Sequence, residues 1–250
     1  NLDSVYHNGV NEKICEKLGL ERTEILAPTQ SLKKLSVYVP PTHSEQVRKA
    51  LFAAGAGYLG ETEGLSYASL GVGSKAGQTA AEVKLEVFFP IAIQGQVLSA
   101  LRESTEGQAL PYELSAVENS NPLVGSGMIG QLEKPMEEAD FLKQLKTAMS
   151  VSVVRHTALL GQPIKTVAVC GGAGGFLLGA AKRRKADIFI TADYKYHEFF
   201  DADGQIIIAD IGHFESEQFT IELLQQLISE KFSTFAAYST QVVTNPVHYL

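Results

Sequence analysis

The segment of residues 206–228 constrains the fold more than any other part of this sequence. It opens with a short β-branched run at residues 206–209, which is typical of a buried strand. Apolar residues then recur at helical spacing from Phe219 to Ile228. A buried strand that leads into an amphipathic helix is a building unit of α/β proteins. The segment therefore predicts an α/β layer, with residues 212–217 at the carboxyl end of a strand.

His213 and Glu217 lie in this strand-to-helix turn. Four residues apart, their side chains can point to the same side of the first helical turn. An imidazole beside a carboxylate at the end of a strand makes half of a divalent-metal site. Alternatively, Glu217 only complements the helix dipole and His213 is an ordinary loop residue. The spacing alone leaves both interpretations open.

Further strands and helices alternate before this segment, which indicates an α/β core. They are residues 141–149, 167–170, 176–180 and 187–191. The run Gly171-Gly172-Ala173-Gly174-Gly175 joins one of these strands to a helix. Its N–H groups could bind an anion, or its glycines could serve tight packing. It matches neither the dinucleotide fingerprint nor the P-loop.

Three polar residues follow the strand at residues 187–191: Asp193, Lys195 and His197. Active sites of α/β proteins gather at the carboxyl ends of strands. The group is therefore either catalytic or an ordinary solvated loop, and the pattern does not separate these interpretations.

Residues 35–117 follow a different pattern. Clear strands at residues 35–39, 83–89 and 112–117 alternate with two helical stretches. The Gly-rich stretch at residues 57–77 has room for one more strand. This order predicts a split βαβ, ferredoxin-like module.

Composition excludes several classes of protein. The chain has 250 residues, 45% of them hydrophobic, enough for one large or two modest cores. A formal net charge of −7 argues against a nucleic-acid surface. No apolar run reaches the about 18 residues of a membrane span. The two cysteines form no disulfide framework, so we expect a cytoplasmic protein.

Several stretches together resemble the Nif-three-like family, whose members are often described as GTP cyclohydrolase I type 2 homologues. Residues 192–197 (ADYKYH) and 209–217 (ADIGHFESE) resemble its C-terminal signature. Asn1-Leu2-Asp3 resembles its middle motif, and residues 35–130 are similar to the CutA/PII-like domain of longer members.

The resemblance implies a Nif-three-like α/β core interrupted by a ferredoxin-like (βαββαβ, CutA/PII-like) insertion domain. We expect the first part of the core at residues 1–33, the insertion at 34–130 and the rest of the core at 131–250. The resemblance also implies a homo-oligomer, a toroidal hexamer built as a trimer of dimers.

Family members bind two divalent metal ions, so the resemblance implies Zn, Fe or Mn as cofactors. The family's ligands carry over onto Asp3, His213 and Glu217. Two adjacent histidines complete the family's set in a segment N-terminal to Asn1, and no His-His pair within this sequence replaces them. We therefore expect three of five ligands in this chain.

Two functional hypotheses follow. In the first, the protein is a metal-dependent hydrolase of a small nucleotide-like or cyclic-amide substrate, with a metal-activated water as nucleophile. Lys195 and His197 are then the candidates for substrate contact. In the second, the protein is a non-catalytic metal-binding or regulatory ring in which the insertion senses a ligand.

Overall fold

The computed structural model describes residues 8–59, 62–105 and 107–249. It divides the chain into two compact units. One contains Asn1–Pro28 and Leu123–Leu250, and the other contains Thr29–Pro122.

Pairs of strands separate successive α-helices along the chain, and α7 follows α6 directly. The helices are α1 (Val10–Leu18), α2 (Ser44–Ala53), α3 (Gln94–Glu103), α4 (Glu138–Ala148), α5 (Leu178–Arg183), α6 (His213–Glu217) and α7 (Thr220–Lys231). The strands are β1 (Glu21–Thr29), β2 (Leu32–Val39), β3 (Ser66–Lys75), β4 (Gln78–Pro90), β5 (Tyr112–Ala116), β6 (Asn121–Met136), β7 (Arg155–His156), β8 (Ile164–Ala173), β9 (Ile188–Ala192) and β10 (Ile207–Asp210).

The first unit is built on a six-stranded sheet with the order β1-β6-β8-β9-β10-β7. β8, β9 and β10 are mutually parallel, so their carboxyl ends meet at one edge. Alternate residues of these strands belong to two separate apolar clusters: Val169 and Ile190 to one, Ala168 and Phe189 to the other. Both faces of the sheet are therefore covered, which explains why these strands appear in the sequence as continuous apolar runs.

The predicted strands at residues 167–170, 187–191 and 206–209 correspond to β8, β9 and β10. Helix α1 precedes the first strand, and Gly19 ends it in the left-handed conformation with φ 67°. The sequence did not indicate β1, β6 or β7. A Cβ atom at Gly125 in β6 would lie 2.3 Å from the Ala27 carbonyl oxygen in β1, so the close packing of these two strands requires glycine there. Glycine is uncommon inside strands, and its presence weakens the strand pattern in the sequence.

The second unit follows the order β2-α2-β3-β4-α3-β5. Its four strands form an antiparallel sheet with the order β3-β4-β2-β5. β3 lies within the Gly-rich stretch that had room for a strand. The unit covers Thr29–Pro122, whereas the sequence placed the insertion at residues 34–130. The difference arises because residues 123–130 continue β6 in the sheet of the first unit.

Across residues 8–59, 62–105 and 107–249, no helix is long and apolar enough to cross a membrane. Cys15 and Cys170 are both free thiols and both buried. Burial raises the pKa of the Cys15 thiol to about 12, so this cysteine remains protonated at neutral pH.

Candidate metal and substrate site

Polar side chains gather where β9 and β10 end. Asp193 follows β9 directly, and His213 begins α6 three residues after the end of β10. The parallel pairing of Ala209 with Ile190 and of Asp210 with Thr191 brings these two turns side by side. The carboxyl edge of the sheet therefore places Asp193 and His213 together, as is common for α/β sites.

The His213 imidazole lies between two carboxylates. Its Nδ1 atom is 2.7 Å from Asp193 Oδ2, and its Nε2 atom is 3.4 Å from Glu217 Oε1. A carboxylate only accepts hydrogen bonds, so the contact with Asp193 places the proton on Nδ1 when the ring is neutral. The Nε2 lone pair is then directed towards Glu217. This carboxylate–histidine arrangement is typical of metal-binding histidines.

Asp193 adopts the left-handed conformation, with φ 57°. This region is uncommon for residues other than glycine, although aspartate tolerates it better than most. Unfavourable backbone conformations of this kind concentrate at functional sites, where the surrounding contacts maintain them. The conformation supports a role for Asp193 in orienting His213.

Asp210 holds the two turns in place. Its carboxylate is buried, and it accepts hydrogen bonds from the backbone N–H groups of Tyr194, at 2.9 Å, and Gly212, at 3.0 Å. These residues adjoin Asp193 and His213 in the chain. The Arg155 side chain also pairs with this carboxylate. Asp210 therefore couples the ends of β7, β9 and β10.

The glycine-rich run packs directly beneath the site. Gly172 has φ 64°, and a Cβ atom there would lie 2.4 Å from Glu217 Oε1 and 3.4 Å from His213 Cε1. Only glycine fits this position, both because of its backbone conformation and because of the close approach of the carboxylate.

Three backbone N–H groups of this run already have side-chain acceptors within the protein. Gly171 N donates to Asn11 Oδ1 at 2.7 Å, and Gly172 N donates to Ser216 Oγ at 2.8 Å. Gly174 N donates to Thr191 Oγ1 at 2.9 Å. The geometry thus supports the packing interpretation of these glycines over the anion-binding one.

A cavity of about 700 Å³ opens beside His213 and Glu217. Residues of α6, the start of α7 and the C-terminal segment line it, together with Arg155. Asn245 Nδ2 in that segment donates to Glu215 Oε1 at 3.1 Å. Partial burial raises the pKa of Tyr249, and the Glu215 and Asp210 carboxylates raise it further. The C-terminal segment therefore forms one wall of the cavity.

His213 and Glu217 suit a divalent metal ion, because an imidazole nitrogen and a carboxylate oxygen converge beside a space that a Cβ at residue 172 would fill. Within the described residues, no group of three or more His, Cys, Asp or Glu side chains is arranged to hold an ion. The third predicted ligand, Asp3, lies outside the described residues.

Lys195 and His197 do not line this cavity. Both are exposed, and Lys195 Nζ lies 3.6 Å from Glu198 Oε1. The Lys195 backbone N–H hydrogen bond lowers the pKa of Glu198, which fits a solvated turn. Their role in substrate contact remains a prediction.

Sequence reasoning missed Arg155 and the role of Asp210. Arg155 reaches the site through β7, a two-residue strand whose length gives no periodic signal. The signal for Asp210 was available, since an aspartate directly after an apolar strand stands where α/β sites form.

The chain resembles known proteins over nearly its whole length. The family model described as Duf34/NIF3 (NGG1p interacting factor 3) matches residues 1–246. A GTP cyclohydrolase 1 type 2 homolog from Halalkalibacterium halodurans is 35% identical over 269 residues, which cover 99% of this chain and 70% of that protein. The Bacillus subtilis protein of the same name is 34% identical over 271 residues, covering 100% of this chain and 72% of that protein.

Solved structures agree with this likeness. A Bacillus cereus protein related to NIF3 superposes with a TM-score of 0.84 at 33% identity, covering 100% of this chain and 72% of that one. The Staphylococcus aureus protein SA1388 superposes with a TM-score of 0.73 at 24% identity, covering 100% and 70%, and shares the fold.

Proposed function

This chain belongs to the Duf34/NIF3 family, and on that premise we propose that it binds divalent metal ions at His213 and Glu217 and acts as a metal-dependent hydrolase. The observation that carries the proposal is the convergence of His213 Nε2 and Glu217 Oε1 while Asp193 accepts the other ring N–H. Asp3 is the proposed third ligand, and two ions are the proposed complement. Zn, Fe and Mn all accept such nitrogen and oxygen ligands.

A bound metal ion would supply a water of lowered pKa for hydrolysis. The chain's own residues perform the remaining tasks. Asp193 holds the His213 ring in one orientation, and Asp210 fixes the turn that carries each of them. The cavity of about 700 Å³ has room for a small nucleotide-like or cyclic-amide substrate. The relatives' name, GTP cyclohydrolase 1 type 2 homolog, supports the first class.

The second unit supports an alternative function. Its strand order, with β2 and β4 in the centre and two helices between strands, supports a ferredoxin-like module of the CutA/PII kind. On this proposal the metal site is structural, the protein is a regulatory ring, and this unit binds the signalling ligand. The resemblance further supports a toroidal hexamer, and the two free buried thiols support a cytoplasmic location.

Metal binding by the full chain tests the shared part of both proposals. We expect Mn, Fe or Zn to bind the wild-type protein in equilibrium dialysis, and His213→Ala to lose at least one ion per chain. His43→Ala is the matched control, because His43 is exposed in the second unit. Equal metal content in wild type and His213→Ala would exclude the proposed site.

Turnover separates the two functions. The metal-loaded protein is incubated with GTP, other nucleotides and cyclic amides, and hydrolysis is followed by chromatography. Activity that disappears in His213→Ala but persists in His43→Ala supports the hydrolase. Absence of turnover with every metal and substrate favours the regulatory alternative.

A further inference from the structure

We propose that Arg155 binds an anionic group, a carboxylate or a phosphate, of the molecule that occupies the cavity beside His213. The inference rests on the proposed function, because it concerns the ligand of the same site. It narrows the ligand class: an anionic nucleotide-like compound fits this site, and a neutral cyclic amide does not.

One nitrogen of the Arg155 guanidinium is already fixed. Nη2 donates to the Asp210 carboxylate and, at 2.9 Å, to the Tyr194 carbonyl oxygen. The group also lies over the Phe199 ring, with 5.4 Å between Cζ and the ring centroid. A guanidinium held in this way loses little conformational freedom when it binds a ligand.

The other two nitrogens remain available. Nη2 has two hydrogens, and both are engaged, so Nη1 and Nε supply the remaining three donors. These make no hydrogen bond to any residue that the structure describes. The side chain is 55% exposed, and it lines the cavity that also contains His213 and Glu217. Both bidentate forks of an arginine use Nη2, so the Nη1 and Nε donors instead bind the oxygens of a carboxylate or phosphate through single hydrogen bonds.

The charges that line the cavity leave Arg155 as the side chain that can attract an anion. Four carboxylates line the cavity: Asp193, Asp210, Glu215 and Glu217. Among the described lining residues, Arg155 is the only lysine or arginine. The carboxylates therefore repel an anionic ligand over most of the cavity surface. A metal ion at His213 and the Arg155 guanidinium are the two places that attract it. Two such anchors would define the orientation of a ligand.

Asp210 does not remove this capacity. Nη1 and Nε stay outside the pair with Asp210, so the guanidinium can hold the protein carboxylate through Nη2 and a ligand anion through its other donors. The competing explanation is that Arg155 only braces Asp210. That explanation predicts that replacing Arg155 changes metal affinity and stability, whereas the anion-binding role predicts a selective loss of anion affinity.

The test uses inorganic phosphate and acetate as probes, titrated calorimetrically into the full chain in its metal-free and zinc-loaded forms. We expect wild type to bind at least one probe in the metal-free form, and Arg155→Met to weaken that binding about tenfold or more. Arg183→Met, an exposed arginine on α5, is the matched control and should bind as wild type does. Zinc affinity, measured separately, should fall by much less than probe affinity in Arg155→Met, although Arg155 also pairs with Asp210.

Unchanged probe binding in folded Arg155→Met would overturn the inference, as would wild-type protein that binds neither probe in either form. If Arg155→Met does not fold, Arg155→Lys serves instead, because it retains the charge but loses the planar set of N–H donors, and it should still weaken the probes several-fold. If the wild-type protein binds phosphate but no metal, the proposed function is wrong, whereas this inference is not contradicted. If the wild-type protein binds metal and Arg155→Met binds the probes as tightly as wild type, the proposed function stands and this inference is wrong.

Discussion

At the scale of single residues, the site depends on how closely Gly172 approaches Glu217. The 2.4 Å separation between a Cβ at residue 172 and Glu217 Oε1 is shorter than any real contact, so any larger residue must displace the carboxylate. Because Glu217 is a proposed ligand, a substitution at Gly172, near the end of β8, should alter metal binding without replacing a ligand.

We expect Gly172→Ala to weaken metal binding at least several-fold and to lower the free energy of unfolding by about 1–3 kcal/mol. Gly161→Ala is the matched control: Gly161 has φ 72°, close to that of Gly172, but nothing lies within 4 Å of its Cβ position. The control variant therefore measures only the free-energy cost of placing alanine at a positive φ. Calorimetric metal titration and urea unfolding measure both effects, and equal metal affinities for the two variants would contradict the account.

Asp193 offers a second comparison at this scale. Partners of metal-binding histidines typically contribute about 10–100-fold to metal affinity, so Asp193→Ala should lose affinity in that range. Asp203→Ala is the control, since Asp203 also has a positive φ, 51°, but has no contact with His213. A metal affinity for Asp193→Ala that matches the control would show that His213 needs no orienting partner.

At the scale of elements, side chains from neighbouring segments hold the glycine-rich run against the sheet. Asn11 of α1, Thr191 of β9 and Ser216 of α6 each accept one of its N–H groups. The floor of the site is thus formed by β8 but held by three other elements. Such contacts link residues distant in sequence, and no local pattern predicts them.

The sheet of the second unit contains a coupled charge group. Lys34, on β2, and Lys84, on β4, each place Nζ 3.0 Å from Glu86 Oε1, and Ser36 Oγ donates to the same oxygen at 2.9 Å. Hydrogen bonds from Lys34 and then Lys84 lower the pKa of Glu86 to about 2. The folded state therefore favours the ionised carboxylate more than the unfolded chain does.

This group predicts a pH dependence of stability. A lowered folded-state pKa stabilises the protein above the ordinary pKa of 4.5, and the contribution disappears as the pH falls towards 2. Between pH 6 and pH 3, we expect wild type to lose about 1–2 kcal/mol more than Glu86→Gln, a modest value because solvent screens the lysines. Urea unfolding at both pH values measures it, with Glu118→Gln, an exposed loop residue, as control. If wild type and Glu86→Gln lose equal amounts of unfolding free energy between pH 6 and pH 3, the pH dependence does not come from Glu86.

At the scale of the whole molecule, the sequence predicted the parts that local pattern determines. The family is confirmed, as is an α/β chain with two sheets. β8, β9 and β10 were predictable because burial on both faces leaves uninterrupted apolar runs. β6 was not, because Gly125 permits close packing against β1 and weakens the strand signal.

Some features of the candidate site were likewise predictable from local sequence, and others were not. The proximity of His213 and Glu217 followed from their four-residue spacing. The contacts of His213 with Asp193 and of Arg155 with Asp210 depend on how β9, β10 and β7 pair, and pairing register is not encoded locally. Lys195 and His197 share the loop of Asp193, but they are exposed and do not line the cavity, so their role in substrate contact stays a prediction.

The central claim, a divalent metal ion at His213 and Glu217, is tested most directly by anomalous diffraction from crystals of the metal-loaded protein at the absorption edge of the metal. The account predicts an anomalous peak about 2.0–2.2 Å from His213 Nε2 and from a Glu217 carboxylate oxygen. Fully loaded crystals with no peak between these two side chains would contradict it.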